Sequence, residues 1–170
     1  MARYQATVPS HRPAAETFAY LATFSNAAEW DPGVLAGEQL DAGLVRLGTR
    51  FRLVVPFLGL RMPLTYQVTS YQPGREVVLA ATSALLRASD RIVVTAGAPG
   101  SAVSYQAEVR LRGPLHLLDP IFRPGFRAVA DRAAAGLAQA LSRDPGPDTT
   151  ASPGTPALPA GTAPWPGDAA

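Results

Sequence analysis

The sequence has no cysteine and no lysine, two histidines and two methionines. Without cysteine there are no disulfides, no thiolate zinc site and no cysteine nucleophile. Two histidines, His11 and His116, stand far apart, with no His-x-His or His-x-x-x-Glu spacing, so no metal site is expected. No Gly-x-Ser-x-Gly elbow is present, and Gly97-Ala-Pro-Gly100 lies between strand-like runs and opens no helix, so it is not a phosphate loop. No apolar run reaches about 18 residues, and none of signal-peptide length begins the chain. A cytoplasmic protein is the expectation. Every one of the 15 basic residues is arginine, yet they form neither a consecutive block nor a helix face interleaved with aromatics, so nucleic acid is not expected as a partner.

What is present divides into two parts. Residues 144–170 contain seven prolines and four glycines, with alanine, threonine, serine and aspartate as most of the rest. Such a segment buries too little apolar surface to offset its ordering entropy. It is read as a disordered tail, in which Trp165 is either incidental or a short recognition element. Residues 1–143 form one domain, large enough for a core. All 15 arginines and ten of the 13 acids fall in it, giving 15 − 10 = +5.

Within the domain, Ala2–Pro9 suggests an edge strand. Pro13–Thr23 and a segment capped by Ser25 or Asn26, with Glu29 completing a capping box, suggest two short helices ended by Asp31-Pro32-Gly33. Ser10 is placed to cap the first of them. Six strand-like runs follow, over Val34–Asp41, Thr49–Phe57, Arg61–Tyr71, Glu76–Thr82, Leu86–Ala96 and Ala102–Leu111. Several alternate, with Phe51, Leu53 and Val55 against Arg50 and Arg52, or Met62, Leu64, Tyr66 and Val68 against Thr65, Gln67 and Thr69. Gln72-Pro73-Gly74-Arg75 has proline and glycine where a type II turn needs them. The chain then ends in an amphipathic helix from about Gly125 to Ser142. Phe122, Phe126, Val129, Ala133, Leu137 and Leu141 form its apolar face, and Pro124 is expected to kink or split the segment. Short turns make the strands antiparallel, and a twisted sheet with one apolar face curls around the helix that covers it. The fold class is α+β, with a gap expected between curled sheet and helix that the side chains of one helix do not fill.

The strings FAYLATFSNAAEWDPGV (Phe18–Val34), LGTRFRL (Leu47–Leu53), YQVTSYQPGREVVL (Tyr66–Leu79) and RLRGPLHLLDP (Arg110–Pro120), in this order of elements, resemble the helix-grip superfamily called SRPBCC or START-like, and within it the polyketide cyclase/dehydrase type. The resemblance covers about residues 2–143. It implies a curled antiparallel sheet gripping a long C-terminal helix. It also implies a cavity for a hydrophobic small molecule, since members bind sterols, lipids, quinones, hormones or aromatic polyketides, and some are enzymes.

On this reading the cavity is lined by Trp30, Phe51, Leu53, Val55, Leu64, Tyr66, Asp90, Ile92, Tyr105, Phe122 and Phe126. Trp30 either walls the cavity or caps the core. Asp90 either lies solvated at a strand end or pairs with an arginine, or it joins Tyr66 and Tyr105 as the polar anchors of an apolar space. The expected function is binding, and by extension transport, of a lipid, isoprenoid or polyketide, with no cofactor. The alternative is a cofactor-independent cyclase or dehydratase using Tyr66, Tyr105, Asp90 or His116 as acid–base groups; His116-x-x-Asp119 has helical spacing that orients a base or merely makes a surface pair. A third reading is a protein partner engaged through the tail. The apolar turn Pro56–Leu60 is either the cavity rim or a point of transient membrane contact. No catalytic residue is singled out, and the oligomeric state stays open.

Overall fold

The structure, a computed structural model, describes residues 1–57, 59–98, 100–114 and 119–143, and the side chains of 119–124 are not among what it describes. The chain runs β1 (Ala2–Ser10), α1 (Ala14–Ala22), a 3₁₀ turn (Phe24–Asn26), α2 (Ala27–Trp30), β2 (Ala36–Gln39), β3 (Arg50–Phe57), β4 (Leu60–Gln72), β5 (Glu76–Thr82), β6 (Leu86–Ala96), β7 (Ser101–Leu111) and α3 (Asp119–Ser142). The seven strands form one antiparallel sheet in the order β1-β7-β6-β5-β4-β3-β2. The first strand pairs with the last, so the two short helices carry the chain from one edge of the sheet to the other. The sheet curls around α3, as in a helix-grip fold. No helix among the described residues is long and apolar enough to cross a membrane.

Period-two patterning sets the two faces of the sheet. Phe51, Leu53, Leu64, Tyr66, Val68, Ile92, Val94 and Val103 are buried on the inner face. The outer face is solvated and carries cross-strand ion pairs, Arg52 with Glu38 and Arg3 with Glu108, each between directly paired residues. β4 breaks the alternation once. Its register against β5 shifts between Val68 and Ser70, so Thr69 bulges and Tyr71, not Ser70, turns inward. The Tyr71 ring then lies 5.6 Å from that of Phe18 on α1. The turn after β4 is the expected one: Gly74 has φ of 72° and the Arg75 N–H donates to the Gln72 carbonyl at 3.0 Å.

Three local expectations are corrected. Asn26 does not cap α2, because its side-chain amide donates instead to the Tyr20 carbonyl at 2.9 Å, while Glu29 accepts from the Tyr20 hydroxyl rather than closing a capping box. Ser10 does not cap α1 either. Its hydroxyl accepts from the Arg12 N–H and joins Thr17 and Ser101 in a buried hydroxyl cluster. The third correction concerns the long helix. It runs continuously from Asp119 through Pro124, which forfeits one backbone bond in the second turn without ending the helix.

The buried stripe of α3 passes through Ala130, Ala133, Leu137 and Leu141, with Phe126 half-buried. Val129, expected on that stripe, is 39% exposed at its edge. The stripe centres on small residues because they let the helix come close: a Cβ on Gly136 would run into the Trp30 carbonyl. The C-terminal end is also clamped by the β1–α1 junction. The His11 N–H donates to the Leu141 carbonyl at 3.4 Å, and the Arg12 guanidinium donates to the carbonyls of Ala140 at 3.4 Å and Arg143 at 3.3 Å.

Candidate functional site

Beyond that clamped end, helix and sheet part and enclose a cavity of about 750 Å³. The gap follows from side-chain size. Ala88 on β6 and Ala107 on β7 form its floor, and Gly125, Ala130 and Ala133 face them from α3. Methyl-sized groups on both sides cannot meet across a helix–sheet spacing near 10 Å. Leucine, valine and aromatic side chains of β3 and β4 make the far wall, among them Leu53, Val55 and Leu64, and Trp30 closes one end.

The polar end is built by register. Asp90 on β6 pairs with Ala107, and Tyr105 on β7 pairs with Ile92, so Tyr105 sits diagonally from Asp90 on the same face. The Tyr105 hydroxyl donates to Asp90 Oδ1 at 2.6 Å. The Tyr66 hydroxyl, reaching in from β4, also favours the charged carboxylate. Each tyrosine is oriented by an aromatic neighbour. Trp30 meets Tyr105 edge-on at 5.8 Å and 81°, and Phe24 meets Tyr66 at 5.1 Å and 64°. Asp90 is 5% exposed. Burial pushes its carboxyl up from 3.8 to about 6, even though its hydrogen bonds with Tyr105 and Tyr66 oppose the rise. Both phenols are raised well above 10.0 by burial first and by the Asp90 charge second. The second carboxylate is Asp31, beside Trp30. Its Oδ1 accepts the Gly33 N–H at 2.7 Å, and burial raises its pKa too, against the lowering effects of that bond and of Arg132.

A carboxyl whose folded pKa is raised binds protons more readily in the native state, so its contribution to stability is greatest at low pH and is lost as pH rises from about 4 to about 6. Asp90→Asn is therefore expected to stabilise the fold by about 3 kcal/mol near pH 8, at 1.36 kcal/mol per pKa unit, and by far less near pH 4. Thermal unfolding at the two pH values checks this; an equal shift at both would exclude ionisation as the cause.

Of the residues singled out from sequence, Trp30, Leu53, Val55, Leu64, Tyr66, Asp90, Tyr105 and Phe126 line the cavity. Asp90 is not solvated and is paired with no arginine among the described residues; its hydrogen-bond partner is Tyr105, with the Tyr66 hydroxyl also favouring its charge. Phe51 and Ile92 lie in the core behind the wall instead. Phe51 is fully buried and packs its ring 6.4 Å from Phe24, and Ile92 is buried in the same core. The side chain of Phe122, His116 and Trp165 lie outside the described residues. Of the apolar turn Pro56–Leu60, Pro56 and Phe57 line the cavity, Leu60 is 73% exposed, and Leu58 is outside the described residues. Sequence reasoning took Asp31 only as a helix stop and did not single out Arg132, yet both line the cavity. The one available signal for Asp31 was its adjacency to Trp30.

Residues 1–142 match the family described as polyketide cyclase / dehydrase and lipid transport. No curated protein matches the chain by sequence. Among solved structures it is similar to a START superfamily protein from Mycobacterium smegmatis, at 13% identity and a TM-score of 0.68, covering 83% of this chain and 97% of that one. It is also similar to the Zhui aromatase/cyclase from Streptomyces sp. R1128, at 18% identity and a TM-score of 0.63, covering 82% and 90%. At such identities the likeness is one of fold.

Proposed function

The chain belongs to the polyketide cyclase/dehydrase and lipid transport family, and we propose that it binds an intact lipid, isoprenoid or polyketide in its internal cavity and carries it without changing it. One observation supports this most. A cavity of about 750 Å³, apolar over most of its wall, ends in a small buried group of polar side chains that fixes orientation. Exchange of such a ligand with a lipid surface would use the turn Pro56–Leu60, where Phe57 meets the cavity and Leu60 meets solvent.

The Asp90–Tyr105 contact favours a second reading. A buried carboxyl raised to about 6 and held at 2.6 Å from a phenol is suited to proton transfer, as a cyclisation or dehydration needs. In that case Asp90 would take a proton from substrate and Tyr105 would position it.

The two readings separate in one experiment. The protein is loaded with the neutral dye Nile red, candidate lipids and polyketides are titrated in, and each displacing compound is recovered and weighed by mass spectrometry. Recovery of unchanged compound is the expected result. Tyr66→Phe or Tyr105→Phe should weaken displacement by roughly three- to tenfold, the worth of one hydrogen bond. A compound that emerges cyclised or dehydrated, with conversion stopped by Asp90→Asn while displacement persists, would establish the enzyme. Native mass spectrometry of protein purified from its own host identifies which compound travels with it.

A further inference from the structure

We propose that the ligand's polar group is a hydrogen-bond donor, a hydroxyl or a protonated amine on an apolar body, and not a carboxylate or phosphate. This rests on the cavity-binding reading and names the chemistry that the polar end selects.

A phenol has one hydrogen to give. That of Tyr105 is committed to Asp90 Oδ1, and the Tyr66 hydroxyl favours the charged form of the same carboxylate. Near pH 8 the Asp90 carboxyl, with a pKa of about 6, is ionised and only accepts. What the Asp90 group offers a ligand is therefore chiefly lone pairs, on two phenol oxygens and a carboxylate. Asp31 adds a second acceptor at the same end, and its negative charge is felt at Asp90, Tyr66 and Tyr105. An arriving hydroxyl or ammonium meets unspent acceptors. A ketone or ester brings no hydrogen to these acceptors, and an anion faces two carboxylates across a space of low dielectric, where like charges repel most strongly.

The cation among the described lining residues is Arg132, and it does not reverse this. It is exposed on α3, its Nε donates to the Ala128 carbonyl at 3.3 Å, and its positive charge already acts on Asp31. Overall charge points the opposite way as well, because residues 1–143 carry 15 − 10 = +5 and attract anions nonspecifically. A preference for an amine over an acid therefore has to come from the cavity.

Three compounds with the same chain make the test: dodecanol, dodecylamine and dodecanoic acid, each competing with Nile red on the full-length protein near pH 8. The alcohol and the amine are expected to displace the dye at concentrations at least tenfold below the acid. In the double variant Asp31→Asn, Asp90→Asn, checked for native circular dichroism, the gap between amine and acid should shrink to about threefold or less. Competition by the acid equal to or better than that of the alcohol and amine overturns the proposal while leaving cavity binding in place. So does a preference that survives unchanged in the double variant. Failure of the protein to take up the dye, or of all three compounds to displace it, overturns cavity binding and this proposal together.

Discussion

Leu137→Ala is expected to destabilise the domain by about 3–4 kcal/mol, within the range for a leucine truncated in a well-packed core. Leu137 is 1% exposed, one turn from the fully buried Leu141, where α3 lies tightest against the sheet. Its side chain has no cavity into which neighbours can relax, since the open space lies at the other end of the helix. The melting temperature should fall by on the order of 10 °C for a domain of this size. Val129→Ala supplies the contrast. Val129 is also an apolar residue of α3 but is 39% exposed, and its loss should cost under about 1 kcal/mol. Denaturant titration of both variants measures the difference. Equal losses would mean that α3 is rotated about its axis from the orientation described.

Gly136→Ala sets two effects against each other. Alanine is the better helix former by about 1 kcal/mol, so propensity alone has the substitution stabilise. Contact predicts the reverse, because the new Cβ would run into the backbone carbonyl of Trp30, which a rotamer change cannot move aside. Either α3 retreats from α2 or the Trp30 segment shifts, and overpacking of this kind costs about 1–3 kcal/mol or more. The net expectation is a loss of about 2 kcal/mol, together with weaker Nile red uptake, because Trp30 closes one end of the cavity and orients Tyr105. An increase in stability near 1 kcal/mol would show that the close approach of the two backbones is wrong.

The sheet was legible because alternation is a strong signal wherever one face is buried. Asp90 falls two residues before Ile92 and four before Val94, and that spacing alone turns it inward with them. The bulge at Thr69 was not legible, since an extra residue leaves the apolar pattern of β4 intact up to Val68 and only then inverts it. The cavity itself leaves little trace in the sequence. Large side chains draw attention, which is how Phe51 and Ile92 came to be placed on the wall, whereas the space exists where large side chains are missing, over Ala88 and Ala107 and beneath Ala130 and Ala133. The same bias put Val129 rather than Ala130 on the buried stripe. Asp31 was hidden by a second, sufficient explanation, as Asp-Pro-Gly ends a helix whether or not its carboxylate faces a cavity.

The unequal footing of α3 has a consequence for how the molecule breathes. One end is held by Arg12, by the His11 amide and by fully packed leucines, while the other lies over an empty space. Opening free energies along one helix then form a gradient, with amides around Phe126 exchanging with solvent long before those around Leu137. A ligand in the cavity supplies the missing contact atoms to the loose end alone. Its arrival would be recorded as slowed exchange in the first turns of the helix and on the strands beneath, with the clamped end, already near the limit set by global unfolding, almost unchanged.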